Sequence, residues 1–225
     1  MDVRVHEIGD EKCRVVVIDD VLPEAEVIVD VAAALAPYPA EARVAYPGLR
    51  RIITPADAAA DAYVVALLQA AAPFIGGVFE ADSFDLTEAS FSLVTRRPEG
   101  LAAAQRVPHY DSTDVKFLAI LHYLNAVSGS GTAFYRHRAS GIVRVSPDNV
   151  GELHARTERL GAPGPGFIGV SDDRYEQLLR VEGRFNRLVI YQGALLHSGL
   201  IPEDFDFSPD PRRGRLTGNI FVRLA

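Results

Sequence analysis

Apolar positions fall into two textures along the chain. Before residue 83 they gather into runs rich in valine and alanine. "CRVVVIDDVL" (13–22) reads as a strand closing on Asp19 and Asp20. Pro23, tolerated in a first helical turn, opens a helix to about Leu35. The stretch 37–50, "PYPAEARVAYPGLR", holds three prolines and Gly48 and reads as loop, with "AYPGLR" either a compact turn at the edge of a pocket or simply loop. "DAAADAYVVALLQAAAPFI" (57–75) predicts a second helix, ended by Pro73 and Gly76-Gly77.

From residue 83 the apolar stretches shorten and alternate. "SFDLTEASFSLVT" (83–95) reads as a strand, and "VKFLAILHYLN" (115–125), apolar almost throughout, as a strand buried on both faces. "SGSGTAFYRHR" is a turn and strand, "RFNRLVIYQ" a strand, "GALLHSGLIP" a turn into a strand, and "RLTGNIFVRL" a closing strand. "SPDNVGELHARTERLG" reads as a helix capped near Ser146 and Pro147, while "DRYEQLLRVE" fits helix or strand. Helices in front of many short strands predict a mainly β fold with flanking helices, a helix-flanked double-sheet barrel.

Composition narrows the functional classes. The chain has 225 residues, enough for one sizeable domain. A net charge of −7 argues against nucleic acid, because phosphate contacts need a basic face. Cys13 is the single cysteine, which excludes an intramolecular disulfide and a thiolate metal cluster. The polar start "MDVRVHEIGDEK" does not read as a secretory signal. The apolar region 63–79 is interrupted by Gln69, Pro73 and two glycines and reads as too short for a membrane span. The expectation is a cytoplasmic protein with no membrane and no nucleic-acid partner.

Candidate chemistry centres on "PHYD". His109 and Asp111 are two positions apart, so in extended chain they share a face. Iron(II) with open coordination positions is held by two histidines and one carboxylate. His197, 88 positions downstream at the end of an apolar strand, is the candidate third ligand. His6, His122, His137 and His154 read as non-ligands, with His137 a surface or pocket group. In the last strand Arg215, Thr217 and Asn219 share one face and Leu216, Gly218, Ile220 and Val222 the other. Either the polar face lies in water, or it points into a barrel and the arginine meets an anion, such as a dicarboxylic cosubstrate.

Taken together and in order, "PHYD", "FLAILHYLN", "GSGTAFYRH", "FNRLVIY", "LLHSGL" and "RLTGN" resemble the iron(II)/2-oxoglutarate-dependent dioxygenases, most closely their prolyl-hydroxylase-like branch. The resemblance covers about residues 84–225. It implies a double-stranded β-helix, of the jelly-roll or cupin type, over a single domain 1–225, with 1–82 supporting a core at 83–225. It implies Fe(II) on His109, Asp111 and His197, and 2-oxoglutarate paired with Arg215, helped by Tyr123 or Thr217. It implies O2 and a small-molecule, amino-acid or peptide substrate to be hydroxylated or otherwise oxidised; a homodimer is left open. The rivals are a cupin-type metalloenzyme without 2-oxoglutarate and a non-catalytic barrel used for binding. Two departures mark this chain. His197 and Arg215 are 18 apart, about twice the branch's spacing, which makes 202–213 an inserted loop. Residues 140–182 form a second insertion. Phe205 and Phe207 make the first loop a candidate lid, with a disordered excursion as the alternative. Arg136, His137 and Arg138 are either contacts for an anionic substrate or a solvated strand end.

Overall fold

The computed structural model describes residues 1–40, 46–125 and 127–225. The loop expected over 37–50 and the turn beginning at Ala45 therefore lie partly outside the described residues. Ten strands and three α-helices are present among the described residues. The strands are β1 (Asp2–Ile8), β2 (Cys13–Asp19), β3 (Gly48–Ile52), β4 (Phe84–Val94), β5 (Phe117–Tyr123), β6 (Gly131–His137), β7 (Tyr175–Glu182), β8 (Arg187–Gln192), β9 (His197–Leu200) and β10 (Leu216–Leu224). The helices are α1 (Ala25–Ala34), α2 (Ala58–Phe79) and α3 (Val150–Arg159).

Seven strands form one antiparallel sheet in the order β1-β2-β8-β5-β10-β4-β3, and three form a second in the order β7-β6-β9. Strand alternation builds two cores from the larger sheet. Val16 and Ile18 of β2, Leu118 and Ile120 of β5, Leu188 and Ile190 of β8, and Ile220 and Val222 of β10 join Leu67 and Ile75 of α2 in one cluster. Val15, Val17, Ala119 and Tyr191 point the other way and join Phe134 and Val181 of the smaller sheet in another. The expectation that β5 is buried on both faces is met, and two facing antiparallel sheets with a helical layer are the predicted double-sheet architecture.

The structure adds one strand and corrects several local expectations. The polar segment at the N-terminus forms β1, paired with β2 along its whole length. It is an edge strand, so ladder hydrogen bonds rather than burial hold it, and it leaves little apolar signal. β3 lies inside the expected loop and is the other edge, paired with β4. Gly48 permits that approach, since a Cβ there would stand 1.8 Å from the Leu93 carbonyl oxygen. Helix α2 runs through Pro73 and both glycines to Phe79. Pro73 is exposed, while Ala71 and Ile75 on either side are fully buried; packing of that face outweighs a proline penalty of about 3 kcal/mol. By length and composition α2 is apolar enough to cross a membrane, contrary to the sequence reading, but its buried face belongs to the core. Finally, residues 140–182 are not all insertion, because Tyr175–Glu182 is β7, a strand of the smaller sheet.

Beneath α2 lies a buried polar link. His122, fully buried on the outward face of β5, is 3.1 Å from Tyr63 Oη through Nδ1 and 3.2 Å from Asn186 Oδ1 through Nε2. Asn186 Oδ1 accepts from the Leu22 N–H, and its Nδ2 donates to the Leu22 carbonyl. With Asn186 offering its oxygen, Nε2 carries the proton and Nδ1 accepts from the tyrosine hydroxyl. Burial lowers the His122 pKa to about 4, partly opposed by the Asn186 hydrogen bond. The folded value lies below the unfolded one. Its stabilising contribution is therefore complete above about pH 6.5 and is lost as pH falls toward 4, where the unfolded chain takes up a proton that the fold refuses. His122 alone is worth on the order of 3 kcal/mol over that window. Urea titrations between pH 7 and 4 should show falling stability, with a shallower decline in His122→Gln. An equal slope in the variant would assign the acid sensitivity to other groups.

Candidate active site

Two strand ends and a loop meet at the open end between the sheets. His197 is the first residue of β9, and His109 forms an isolated antiparallel bridge with it. Both backbone hydrogen bonds of that bridge are 2.8 Å, so the two histidines are fixed side by side with ring centroids 4.3 Å apart. The Asp111 N–H donates to the Gly193 carbonyl at 2.7 Å, which turns its carboxylate toward both rings. Asp111 Oδ2 stands 3.6 Å from His197 Nε2, and Oδ1 3.9 Å from His109 Nε2. One ligand atom from each of the three lies within 4.8 Å of the others.

The electrostatics suit a cation. The pKa of His109 falls to about 4, through burial first and then the neighbouring His197, against the opposing pull of Asp111. That of His197 also falls to about 4, by burial, opposed by its hydrogen bond to the Leu195 carbonyl. Both rings are thus neutral at neutral pH and keep a lone pair. His197 Nδ1 lies 2.8 Å from the Leu195 oxygen, which places the proton on Nδ1 and leaves Nε2 as the donor atom. The edge of Tyr191 meets the His197 ring at 4.9 Å and helps hold its plane.

A cavity of 370 Å³ opens from these three side chains, and Arg215 and Thr217 also line it. Arg215 is 5% exposed. Its Nε donates to Ser130 Oγ at 2.8 Å, its Nη2 to the Gly131 carbonyl at 2.9 Å, and its guanidinium lies 5.4 Å over the Tyr123 ring. Among the described residues no carboxylate pairs with it. The buried Thr217 hydroxyl also lacks a hydrogen-bond partner among them. The polar face of β10 therefore points inward, which settles the alternative that it lies in water. Tyr123 differs from expectation: its hydroxyl is 2.6 Å from Thr132 Oγ1, and it is Thr132 that lines the cavity. Sequence reasoning missed Ser130 and Thr132, although both lie in the glycine-rich turn and strand that it singled out.

Other polar groups lie elsewhere. Arg136 pairs with Glu176 and Asp10, and Arg138 donates to the Asp172 carbonyl. His137 is neither surface nor pocket: it is fully buried, bonded to Ser140 Oγ at 2.8 Å and packed on Tyr175. Arg187 pairs with Asp19, and Arg223 with Asp114. His154 stands on α3 within 3.2 Å of the Tyr110 hydroxyl. The loop 202–213 is packed rather than a disordered excursion, because Phe205 and Phe207 are 8% and 6% exposed. They do not line the cavity as a lid would; Phe207 stacks behind Phe167 at 6.3 Å, and Phe167 forms part of the wall.

The two sheets form a double-stranded β-helix, with two histidines and an aspartate at their open end and a buried arginine within. The chain belongs to a family of unknown function, DUF6445, whose model matches residues 1–222. Among curated proteins none matches the sequence. Solved structures show the fold. The non-heme alpha ketoglutarate dependent epimerase SnoN from nogalamycin biosynthesis is 14% identical, with 94% of this chain and 78% of that one covered and a TM-score of 0.57. HygX from Streptomyces hygroscopicus with iron bound is 14% identical over 96% and 84%, with a TM-score of 0.56. The viral collagen prolyl hydroxylase vCPH from Paramecium Bursaria Chlorella virus-1, a 2OG complex, is 8% identical over 94% and 96%, with a TM-score of 0.51.

Proposed function

We propose that the protein is an Fe(II)- and 2-oxoglutarate-dependent oxygenase that hydroxylates or otherwise oxidises a small molecule, amino acid or peptide side chain. The observation that carries this reading is the convergence of His109, Asp111 and His197 in one cavity with a buried arginine that has no carboxylate partner among the described residues. Two neutral imidazoles and a carboxylate fit iron(II) and leave coordination positions open. Iron bound there, with 2-oxoglutarate giving up electrons and carbon dioxide to become succinate, supplies oxidation of a substrate C–H bond by O2.

The chain's own groups bind, orient and exclude water. His109 and His197 donate lone pairs from rings whose planes are set by the bridge and by Leu195. Arg215 offers its charge to the far carboxylate of 2-oxoglutarate, held in place by Ser130, Gly131 and the Tyr123 ring. The Thr217 hydroxyl provides a second donor to that carboxylate. Apolar residues of both sheets close the rear of the cavity, which strengthens these interactions by lowering the local dielectric.

The test is succinate release, together with thermal stabilisation by metal and 2-oxoglutarate. Stabilisation by metal alone, with none from 2-oxoglutarate, would point to another metalloenzyme on this barrel; no response to either would leave a binding barrel. Arg215→Ala should keep the metal response and weaken 2-oxoglutarate by tenfold or more, since a charged hydrogen bond is worth about 1.5–3 kcal/mol. Titration of 2-oxoglutarate against the metal-loaded variant checks this, and unchanged affinity would take Arg215 out of the role.

A further inference from the structure

Loops build the mouth of the cavity, and two of its features serve neither metal nor cosubstrate. The first is apolar. Val94 at the end of β4, Phe167 and Ile201 line the cavity and pack with Phe205 and Phe207 in one cluster. Phe167 and Ile201 are only half-buried, so the cluster shows an apolar face at the opening. Such a face at the entrance to a cavity suits the apolar body of a ligand. Arg50 and Glu88, deeper in the wall, are already engaged with each other and with Ser90, so the interior asks for no further charge.

The second feature is positive charge. The loop 95–106 leads from β4 toward His109 and holds Arg96, Arg97 and Arg106 against one acid, Glu99. Arg96 and Arg97 are exposed. Arg96 Nη1 donates to Gln105 Oε1 at 3.3 Å, and Gln105 is part of the cavity wall, held by the Ala102 N–H and the Tyr46 carbonyl. The Arg97 guanidinium lies 5.4 Å over the Phe207 ring, which stacks on Phe167. A Cβ at Gly166 would stand 3.9 Å from Pro98, so this loop meets the one that carries Phe167. Both arginines are thus tied to the mouth. Arg106 is half-buried and gives Nε and Nη2 to the Leu101 carbonyl.

None of these three arginines makes an ion pair among the described residues, although acids are at hand. Glu99 shares their loop, and Glu203, Asp204 and Asp206 flank the two phenylalanines of 202–213, yet Asp206 pairs with Arg213 instead. Elsewhere on the surface Arg4, Arg51, Arg144 and Arg212 each meet a carboxylate. On a chain of net charge −7, guanidiniums left without carboxylates at a cavity mouth form a local site for an anion. Their planar forks match a carboxylate or a phosphate.

We propose, on the basis of the oxygenase reading above, that the substrate is an amphipathic anion. Its apolar body enters the cavity past Phe167 and Ile201, and its acidic head, a carboxylate or a phosphate, stays at the rim on Arg96 and Arg97. Arg106 adds its charge to that end. A neutral molecule of the same shape leaves both arginines unused, and a cation is repelled by them.

The experiment uses the full chain. Nickel(II) with 2-oxoglutarate is added first, and the rise in Tm reads the oxygenase site by itself. That complex is then titrated calorimetrically with octanoate, octyl phosphate, octanol and acetate, at low and at high salt. The better octyl anion should bind roughly fivefold or more tighter than octanol, as two exposed charge pairs allow, and its identity names the head group. Acetate, which lacks the apolar body, should bind roughly tenfold or more weaker than that anion. In the double variant Arg96→Gln, Arg97→Gln the anion should fall to the affinity of octanol, while octanol binding and the nickel and 2-oxoglutarate response persist. High salt screens exposed charge and should remove the same preference in the parent, so a misfolded variant leaves the outcome decided. If nickel and 2-oxoglutarate raise Tm but octanol matches both octyl anions, acetate matches them, nothing binds, or the preference survives the variant or high salt, this proposal is overturned and the oxygenase reading stands. If nickel and 2-oxoglutarate have no effect, the oxygenase reading falls and the proposal with it.

Discussion

His197→Ala and Asp111→Ala should each reduce metal affinity by on the order of a hundredfold or more and abolish 2-oxoglutarate turnover. Loss of a group that merely orients a ligand costs 10–100-fold in affinity or activity, and loss of a ligand costs at least that. The geometry leaves no substitute nearby: the three ligand atoms within 4.8 Å are the one such cluster among the described residues. Metal retained per chain after dialysis, measured by elemental analysis, reads the effect directly. His6→Ala, on the edge strand β1, is the control and should retain metal as the parent does. Full metal content in both ligand variants would remove the site from these residues, and the oxygenase reading would go with it.

The three side chains that converge were legible because they sit where local pattern and chemistry coincide. A histidine and an aspartate two apart beside an apolar strand, and a distal histidine closing another, show in the sequence as interruptions of burial. The inward face of β10 was legible for the same reason, since alternation alone puts Arg215, Thr217 and Asn219 together. What failed depended on partners distant in sequence. Arg50 is in a strand of five residues begun by Gly48, and only the β4 ladder makes it a strand. The contact between the Tyr123 hydroxyl and Thr132 across the barrel is one that no local pattern reveals. Pro73 and the glycines read as a helix end because propensity is local, while the burial of Ala71 and Ile75 that carries the helix through is not. The aromatic pair of 202–213 was correctly seen as too apolar for water, but its partner, Phe167, comes from the other insertion.

Gly218→Ala should destabilise the fold by roughly 3–5 kcal/mol, the sum of overpacking and a lost buried hydrogen bond. In β10 this glycine is opposite His122 of β5 and Phe91 of β4, on the face covered by α2. Tyr63 descends from α2 and lies nearly parallel to Phe91, with ring centroids 5.4 Å apart. Its hydroxyl occupies the space a side chain would take: a Cβ at position 218 would stand 2.0 Å from Tyr63 Oη and 3.1 Å from Cζ. The ring is 2% exposed and cannot swing away. Relief of the clash therefore pulls the hydroxyl from His122 Nδ1 and leaves a buried acceptor unpaired. If this account holds, removing the hydroxyl first should lower the cost. Tyr63→Phe loses the hydrogen bond alone, and Gly218→Ala added to it should cost at least 1 kcal/mol less than in the parent, a coupling measurable by a double-mutant cycle in urea. Additive losses would mean that the glycine serves the strand's backbone and not the tyrosine. Because Thr217 and Asn219 point to the cavity while Gly218 points to the helix, folded Gly218→Ala protein should still take up metal.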